Sequence, residues 1–508
     1  MACLIGFSIT SIVYTSDIFE LSYKESIMAK TVILGAGFSG QYAAIILQDA
    51  LKGKGNHEII VVNPTTTFTF IPSLIWVGIG QMETKKTQFD LKPVYDRLGI
   101  KFVHGLATEI HPDEQYVLVE PKDGVGKDPI RVNYDYLINA TGPHLNFDAT
   151  PGLGPEKGHT YSICTPSHAE QTAQRYLQLV EKLKKGGGRA SIVVGTGHGT
   201  CTCQGAAFEF ISQIHNDLTD RGLRKQVDLK WVSNEPQLGD FGIGGFETKM
   251  MMGSILFTAN DMAEAIYTEY NILPQVRSHV SRVDEEYIHT EDADGKIGKI
   301  QYDFAMLIPP FRGKQIRYLD KEGNDLSSKL LNPGGFLKVD AVYGKPYDQL
   351  DGPDWPKTYQ NQIYKNMFAA GIAFAPPGFV SKPMTSPNGT LICPAIPRTG
   401  YTSELTGKAA ALNIAEMIQG REPCHTASMA ATPGMCIASL KQSITSGAGC
   451  TIGIYPIVPD RQRYPETNGR DITAATADMG LAGAWIKKGL HHAFLYKLSA
   501  KPMWKYLP

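Results

Sequence analysis

Two glycine-rich turns, and the cysteines that crowd the second of them, are the residues in this chain with the clearest capacity for chemistry. The first turn runs Val32-Ile33-Leu34-Gly35-Ala36-Gly37-Phe38-Ser39-Gly40. Gly35 permits a tight bend, Gly37 lets the backbone approach a pyrophosphate, and Gly40 lets a helix close on the preceding strand. The phosphate would sit at the helix N-terminus, where unpaired N–H groups point. A dinucleotide is the ligand this pattern implies. The second turn runs Gly195-Thr196-Gly197-His198-Gly199-Thr200-Cys201-Thr202-Cys203. It is built the same way, but Thr200 stands at the third glycine position and two thiols stand where phosphate would lie. We read it as a nucleotide fold that has lost, or never had, its nucleotide. Cys201 is either a spare thiol able to exchange with Cys203 or, the better reading, a buried bystander.

The elements that must position these turns are legible on either side of them. Lys30 to Leu34 reads as a short buried strand, and Phe38 to Leu51 as a helix with apolar residues at Ala43, Ala44, Ile46 and Leu47. Glu58 to Asn63 is a second strand at the distance a β-α-β unit needs. Asn63 stands where an acidic residue would accept hydrogen bonds from a ribose; its amide can make that contact or simply open the turn into Pro64. The second turn follows a strand from Ala190 and precedes a helix through Phe208 and Phe210. The next strand, Leu229 to Ser233, ends in no acidic residue. Lys365 to Ile372 reads as a buried strand returning to the cofactor. From Leu481 a helix carries Ala482, Ile486, Leu490, Ala493 and Phe494 on one stripe. Lys487, Lys488 and His491 lie to one side, and Trp485 and Tyr496 on the flank. That arrangement suits a membrane interface, with a solvated face as the alternative for the two lysines.

A chain of 508 residues with 43% apolar content is too long for one core and implies two or three packed units. Its formal charge of −1 argues against a nucleic-acid partner. Eight cysteines are too sparse for a disulfide scaffold. Cys393, Cys424, Cys436 and Cys450 are spaced too irregularly for a metal centre, so no metal is expected. No run of apolar residues is long enough to span a bilayer. The N-terminal segment lacks the basic start of a secretory signal. Residues 1–27 are expected to be a non-native or flexible extension, with translation starting at Met28.

Several blocks in order carry a resemblance. They are Gly35 to Gly40; Phe70-Ile71-Pro72-Ser73-Leu74-Ile75-Trp76-Val77-Gly78; Tyr134 through Asn139-Ala140-Thr141-Gly142-Pro143; and Ser162-Ile163-Cys164-Thr165-Pro166-Ser167-His168. Cys203 to Glu209, Asn332 to Phe336, and Pro397-Arg398-Thr399-Gly400-Tyr401 follow. From about Lys30 onward the chain resembles the sulfide:quinone oxidoreductases, FAD-dependent flavoproteins. The resemblance implies an α/β fold with two Rossmann-like dinucleotide-binding domains and a C-terminal membrane-associating region. The expected division is an FAD-binding domain over 28–160 and 301–430, a second Rossmann-like domain without nucleotide over 161–300, and a redox-cysteine and membrane-binding region over 431–508.

It also implies roles. FAD would be held by Gly35, Gly37, Phe38, Ser39, Gly40 and Asn63 in the first unit. Pro72, Ser73 and Trp76 would add to the site, as would Thr141, Gly142 and Pro143. Gly371 with Ile372, and Thr399 with Gly400, would complete it. Cys203 matches the flavin-proximal thiol and Cys436 the thiol that carries the growing sulfur chain. Cys164 matches a cysteine that bonds covalently to the flavin in some members. Hydrosulfide would attack a disulfide, leaving a persulfide and a thiolate, and two electrons would pass through FAD to a membrane quinone. A helix N-terminus would favour the Cys203 thiolate. Glu209 matches a proton-handling glutamate, and His168 is either a proton shuttle or a structural histidine. Gly371-Ile372 replaces the Gly-Asp pair of related NADH enzymes.

Three departures stand out: Gly239-Asp240-Phe241-Gly242 lacks a family histidine, Ile437-Ala438-Ser439-Leu440 departs from the family pattern after Cys436, and sequence is added around Ser386 to Cys393. The resemblance makes the chain an enzyme, peripheral on a lipid bilayer surface, with homo-oligomerisation left open. The competing readings are an NADH:quinone oxidoreductase, a flavocytochrome-type sulfide dehydrogenase, and a catalytically silent interaction or sensor module.

Overall fold

A computed structural model of the chain describes residues 28–507, apart from 56, 123, 125, 127, 246–248 and 253. The expectation for residues 1–27 lies outside the described residues. Val32, Ile33 and Leu34 are fully buried, as a strand covered on both faces requires. Their strand, Ala29–Leu34, pairs in parallel with His57–Asn63 on one side and Tyr136–Asn139 on the other. Met367–Ala369 adds beyond Tyr136–Asn139, so the late segment does return to the first sheet. Lys101–His111, Tyr116–Pro121 and Ile130–Asn133 extend the other side of this eight-stranded sheet. The helix Phe38–Leu51 crosses over it, and the helix Gly400–Ile418 lies along that helix. They approach so closely that a methyl group at Gly407 would collide with the Ser39 backbone.

A second sheet, entirely parallel, runs Ile272–Gln275, Val227–Val232, Ala190–Thr196, Phe304–Ile308. This corrects the boundary expected at residue 300. Phe304–Ile308 is wholly buried and pairs with the strand before the second turn, so the second unit runs through Ile308.

The C-terminal region, expected to contribute a helix and a cysteine, also builds a five-stranded sheet. Ile255–Thr258 and Lys249–Met252 from the second unit join Thr476–Gly480, Ala448–Ile454 and Gly434–Lys441. The strand bearing Cys436 is therefore held between the helix Gln204–Asp220 and the C-terminal helix Leu481–Leu498.

The C-terminal helix forms where expected, with Ala482 and Ile486 of its apolar stripe exposed, but Phe494 of that stripe and the flanking Lys487 and His491 turn inward. Ala484, Lys487, His491, Phe494, Lys497 and Leu498 are buried, whereas Trp485 and Ile486 are exposed. The cause is charge: Lys487 pairs with Glu209 at 2.9 Å and Lys497 with Glu404 at 2.6 Å, all four buried. Two carboxylates inside the protein need cations, and helical periodicity cannot reveal partners so distant in sequence. Among the described residues no helix is long and apolar enough to cross a membrane.

Candidate functional site

The first turn has the open geometry that a dinucleotide needs. Gly35 adopts φ +96°, and side chains at Gly35 or Gly40 would strike the backbone at Ala140 or at Gly35 itself. A Cβ at Gly37 would meet nothing within 4 Å. The space beside Gly37 is thus free while its flanks are closed. Gly142 (φ +69°) likewise faces open space. Thr141 is fixed beside it by its N–H and hydroxyl, which donate to Asn139 Oδ1 at 3.2 and 2.8 Å.

Two buried polar atoms in this region have no protein partner, Ser39 Oγ and Trp76 Nε1. Buried polar atoms are rarely left without a hydrogen bond, so both fit a bound polar ligand. Gly371 lies against Ser39 with φ +66°, and its N–H donates to Thr406 Oγ1 at 2.8 Å. Thr399 is the N-cap residue of the helix Gly400–Ile418, and Gly400 gives the Phe38 ring room.

Several of the expected cofactor residues also have partners within the protein. Asn63 Oδ1 accepts the Ala36 N–H at 2.9 Å, and its amide donates to Thr65 O at 2.8 Å and Oγ1 at 2.9 Å. Its side chain thereby clamps the turn onto the second strand. Ser73 is buried and shares a hydrogen bond of 2.8 Å with His491 Nδ1 of the C-terminal helix. Pro72 is the middle residue of the short 3-10 turn Ile71–Ser73 that carries it, and Pro143 opens a strand paired with Phe311–Gly313.

The thiols gather at one end of the Gln204–Asp220 helix. Cys203 is its N-cap residue and holds a left-handed backbone, φ 68° and ψ 32°. That conformation costs a non-glycine residue on the order of 1 kcal/mol and persists only where its surroundings enforce it. Cys436 reaches the same turn: a Cβ at Gly205 would lie 3.6 Å from its Sγ. Cys164 lies before the helix Pro166–Lys184, its N–H donating to Ser162 Oγ at 3.2 Å, and it is close enough to Cys203 for charge on one to affect the other. The seven described cysteines are free thiols.

Burial pushes the Cys164 thiol up to about 12 and Cys436 up to about 11. Cys203 is also pushed up by burial, with Arg398 acting in the opposite direction. The helix N-terminus is therefore outweighed by desolvation at Cys203, and reaction requires groups that accept protons.

Glu209 is one such group. Burial raises its carboxyl and Lys487 opposes the rise; Oε2 accepts from Lys487 while Oε1 has no hydrogen-bond partner. His168 Nε2 lies 2.6 Å from Glu156 Oε1, which leaves Nδ1 buried and unpartnered. No hydrogen bond joins His168 to Cys164.

Cys201 is fully buried with its Sγ 3.0 Å from Ile308 O, and Cys450 packs against Met262. Asp240, at the position of the missing histidine, accepts hydrogen bonds from Ser381 Oγ and from the Gly242 N–H and holds the neighbouring loop.

The second turn is filled by the protein itself. The added sequence forms a hairpin, Met384–Thr385 with Leu391–Ile392, whose far end is tied down by Ser386 and Thr390 hydroxyls on Glu291. Its return strand leads into the turn: the Cys393 N–H donates to Gly199 O at 2.7 Å, and the Ala395 N–H to Cys201 O at 2.9 Å. Asn234 Nδ2 donates to both of those carbonyls, each at 3.0 Å.

Glu235, just past the strand, is equally inward-facing. It accepts from Ser233 Oγ at 2.7 Å and from the Phe241 N–H at 3.0 Å, and burial raises its carboxyl from 4.5 to about 7. The folded protein thus keeps this proton where the unfolded chain has lost it. The stability it contributes is complete below pH 4.5 and is lost as pH rises to about 7. Glu235→Gln should flatten the stability decline in that window, as followed by urea unfolding at a series of pH values.

Two residues escaped the sequence reading as site residues. Arg398 is buried, with Nη1 donating to Ile372 O at 2.9 Å and Phe374 O at 2.7 Å, and its charge acts on Cys203. It links the segment after Gly371 to the thiol. Lys487, read as a lipid-facing cation, pairs instead with Glu209 and with the Ile437 carbonyl beside Cys436, and its charge acts on that thiol. The only sequence signal for Arg398 was its place in the Pro397-to-Tyr401 block.

Residues 29–225 match the pyridine nucleotide-disulphide oxidoreductase family. The chain is 26% identical over 475 residues to a sulfide-quinone reductase of Aquifex aeolicus, covering 93% of this chain and 91% of that protein. It is 28% identical over 206 residues to the mitochondrial sulfide:quinone oxidoreductase of Dictyostelium discoideum, covering 41% and 42% of the two chains. The crystal structure of the Aquifex aeolicus sulfide:quinone oxidoreductase superposes with a TM-score of 0.71 at 24% identity, over 93% of this chain and 92% of that one. The glycine cradle, the thiols at a single helix end and similarity along nine-tenths of the sequence converge: the chain is an FAD-dependent oxidoreductase similar to the sulfide:quinone oxidoreductases.

Proposed function

We propose that this protein oxidises hydrogen sulfide to sulfane sulfur on a cysteine pair and delivers two electrons to a membrane quinone. The observation that carries the reading is the placement of Cys203 and Cys436 against the first turn of one helix, with Cys203 in a strained backbone conformation. In the oxidised enzyme the two sulfurs form a disulfide. Hydrosulfide attacks the Cys436 sulfur, a persulfide remains there, and Cys203 leaves as a thiolate. Arg398, tied to the carbonyls of Ile372 and Phe374, stabilises that thiolate and makes Cys203 the cofactor-proximal sulfur. The Gly35–Gly40 turn and the N-terminus of the Gly400–Ile418 helix would hold FAD, which when bound would supply a two-electron acceptor that quinone can reoxidise. His168 and its partner Glu156, which is largely exposed, form a proton exit toward solvent. Cys164 is the candidate for a covalent cofactor bond, which would keep yellow colour on the chain after acid denaturation.

Exposed Ile444, Trp485 and Ile486 lie together, the Trp485 indole donating to Ile444 O at 2.8 Å. With the exposed Lys488 beside them, they supply an apolar surface and a cation for peripheral docking on lipid, where quinone resides. The filled second turn weighs against NADH as the reductant. Purified protein under anaerobic conditions should lose its flavin absorbance on addition of sulfide and keep it on addition of NADH; the reverse result would overturn the assignment. Gly37→Ala should leave the fold intact, because the position is open, and weaken FAD retention about tenfold through one obstructed phosphate contact. The flavin-to-protein absorbance ratio after dialysis measures this.

A further inference from the structure

We propose that Lys487 is a positioning residue for the sulfur chemistry of Cys436: its ammonium is shared between Glu209 and the Cys436 sulfur, and it thereby couples proton transfer from that sulfur to Glu209. The inference rests on Cys436 being a reacting thiol.

Lys487 is buried and makes two directional contacts, to Glu209 Oε2 at 2.9 Å and to Ile437 O at 3.0 Å. The second anchors the ammonium to the residue next to Cys436. Glu209 follows Gly205 by four positions, so the two share a helix face, and Cys436 Sγ rests against that face at Gly205. The charges that face Cys436 are Lys487 and Glu209, with the Cys450 thiol on the neighbouring strand. Glu209 is faced by Lys487 and by the backbone at Ser439. Its Oε1 is buried and without a hydrogen-bond partner, an acceptor with no other assignment.

The step balances. The S–H bond of Cys436 breaks, an O–H bond forms at Glu209 Oε1, and Lys487 stays protonated; no electrons move. Before the transfer the ammonium neutralises a carboxylate, and afterwards a thiolate. The cluster of three has no net charge at either stage, which avoids the cost of creating an isolated charge inside the protein. A persulfide on Cys436 would lose its proton by the same exchange.

Alkylation of Cys436 by iodoacetamide in the FAD-loaded protein, followed peptide by peptide across a pH series, tests this without turnover of sulfide. Lys487→Met should slow alkylation about tenfold at a fixed pH, equivalent to about one pH unit, and Lys487→Arg should restore it. Glu209→Gln should act in the opposite direction and speed it. The double variant, which removes both charges, should return toward the wild-type profile. Loosened packing would instead speed alkylation in every variant, and that result, or an unchanged profile for Lys487→Met, overturns the proposal. If Lys487→Met does not fold, a Glu209→Gln variant no faster than wild type does the same. Failure of sulfide to reduce the flavin while these opposite shifts persist would refute the sulfide reading alone.

Discussion

Replacing Cys203 with serine should cut sulfide-dependent flavin reduction by at least about a thousandfold, because loss of a covalent reactant removes the pathway it carries. Stopped-flow absorbance under anaerobic conditions reads the rate directly. The substitution is nearly isosteric and keeps the left-handed backbone, so FAD content and unfolding midpoint should be unchanged. Cys436→Ser should produce a similar loss, whereas Cys201→Ser should not, since its fully buried sulfur is engaged with the Ile308 carbonyl. Equal sulfide-dependent flavin reduction in Cys203→Ser and wild type would defeat the cysteine mechanism.

The largest effect on stability should come from Lys497→Met. The Lys497–Glu404 pair has side-chain exposures of only 3% and 2% at a separation of 2.6 Å, and Glu404 sits in the first turns of the helix Gly400–Ile418. Removing one partner of a buried pair leaves the other uncompensated, at about 3–5 kcal/mol. Burial already raises the Glu404 carboxyl to about 7, with Lys497 opposing that rise. Without the lysine the carboxyl should titrate higher still, so the deficit should shrink as pH falls and Glu404 takes up a proton. Glu404→Leu combined with Lys497→Met should recover most of the loss. Urea midpoints for the single and double variants decide the matter; a double variant as unstable as the single would show that Lys497 acts through its packing on Phe494, 4.4 Å away, instead of through charge.

Local pattern made much of the first unit readable. The strand before Gly35, the helix Phe38–Leu51 and the return strand near Phe368 depend on short-range periodicity and on glycines with positive φ, which a sequence displays openly. The second turn was readable as damaged, but what replaced the nucleotide was not: Cys393 and Ala395 close it from almost two hundred residues away. The strand Phe304–Ile308 fell on the wrong side of a boundary because a buried apolar run does not announce which sheet it joins. The C-terminal helix was placed well, but Lys487 and His491 on it were not seen to be buried. Its lysines looked like surface residues because the carboxylates that draw them inward belong to other helices. Asn63 and Ser73 were recognised by position alone, and their hydrogen bonds show that each braces another part of the cradle.

The buried face of the C-terminal helix bears on how the protein is made. Glu209 leaves the ribosome 278 residues before Lys487, and Glu404 leaves 93 residues before Lys497. The earlier domains of a long chain begin to fold during synthesis, yet here two of their interior carboxylates wait for cations that are translated long after them. Nascent chains halted before Leu481 should stay open around both glutamates, and emergence of the Leu481–Leu498 helix becomes the event that lets the interior close.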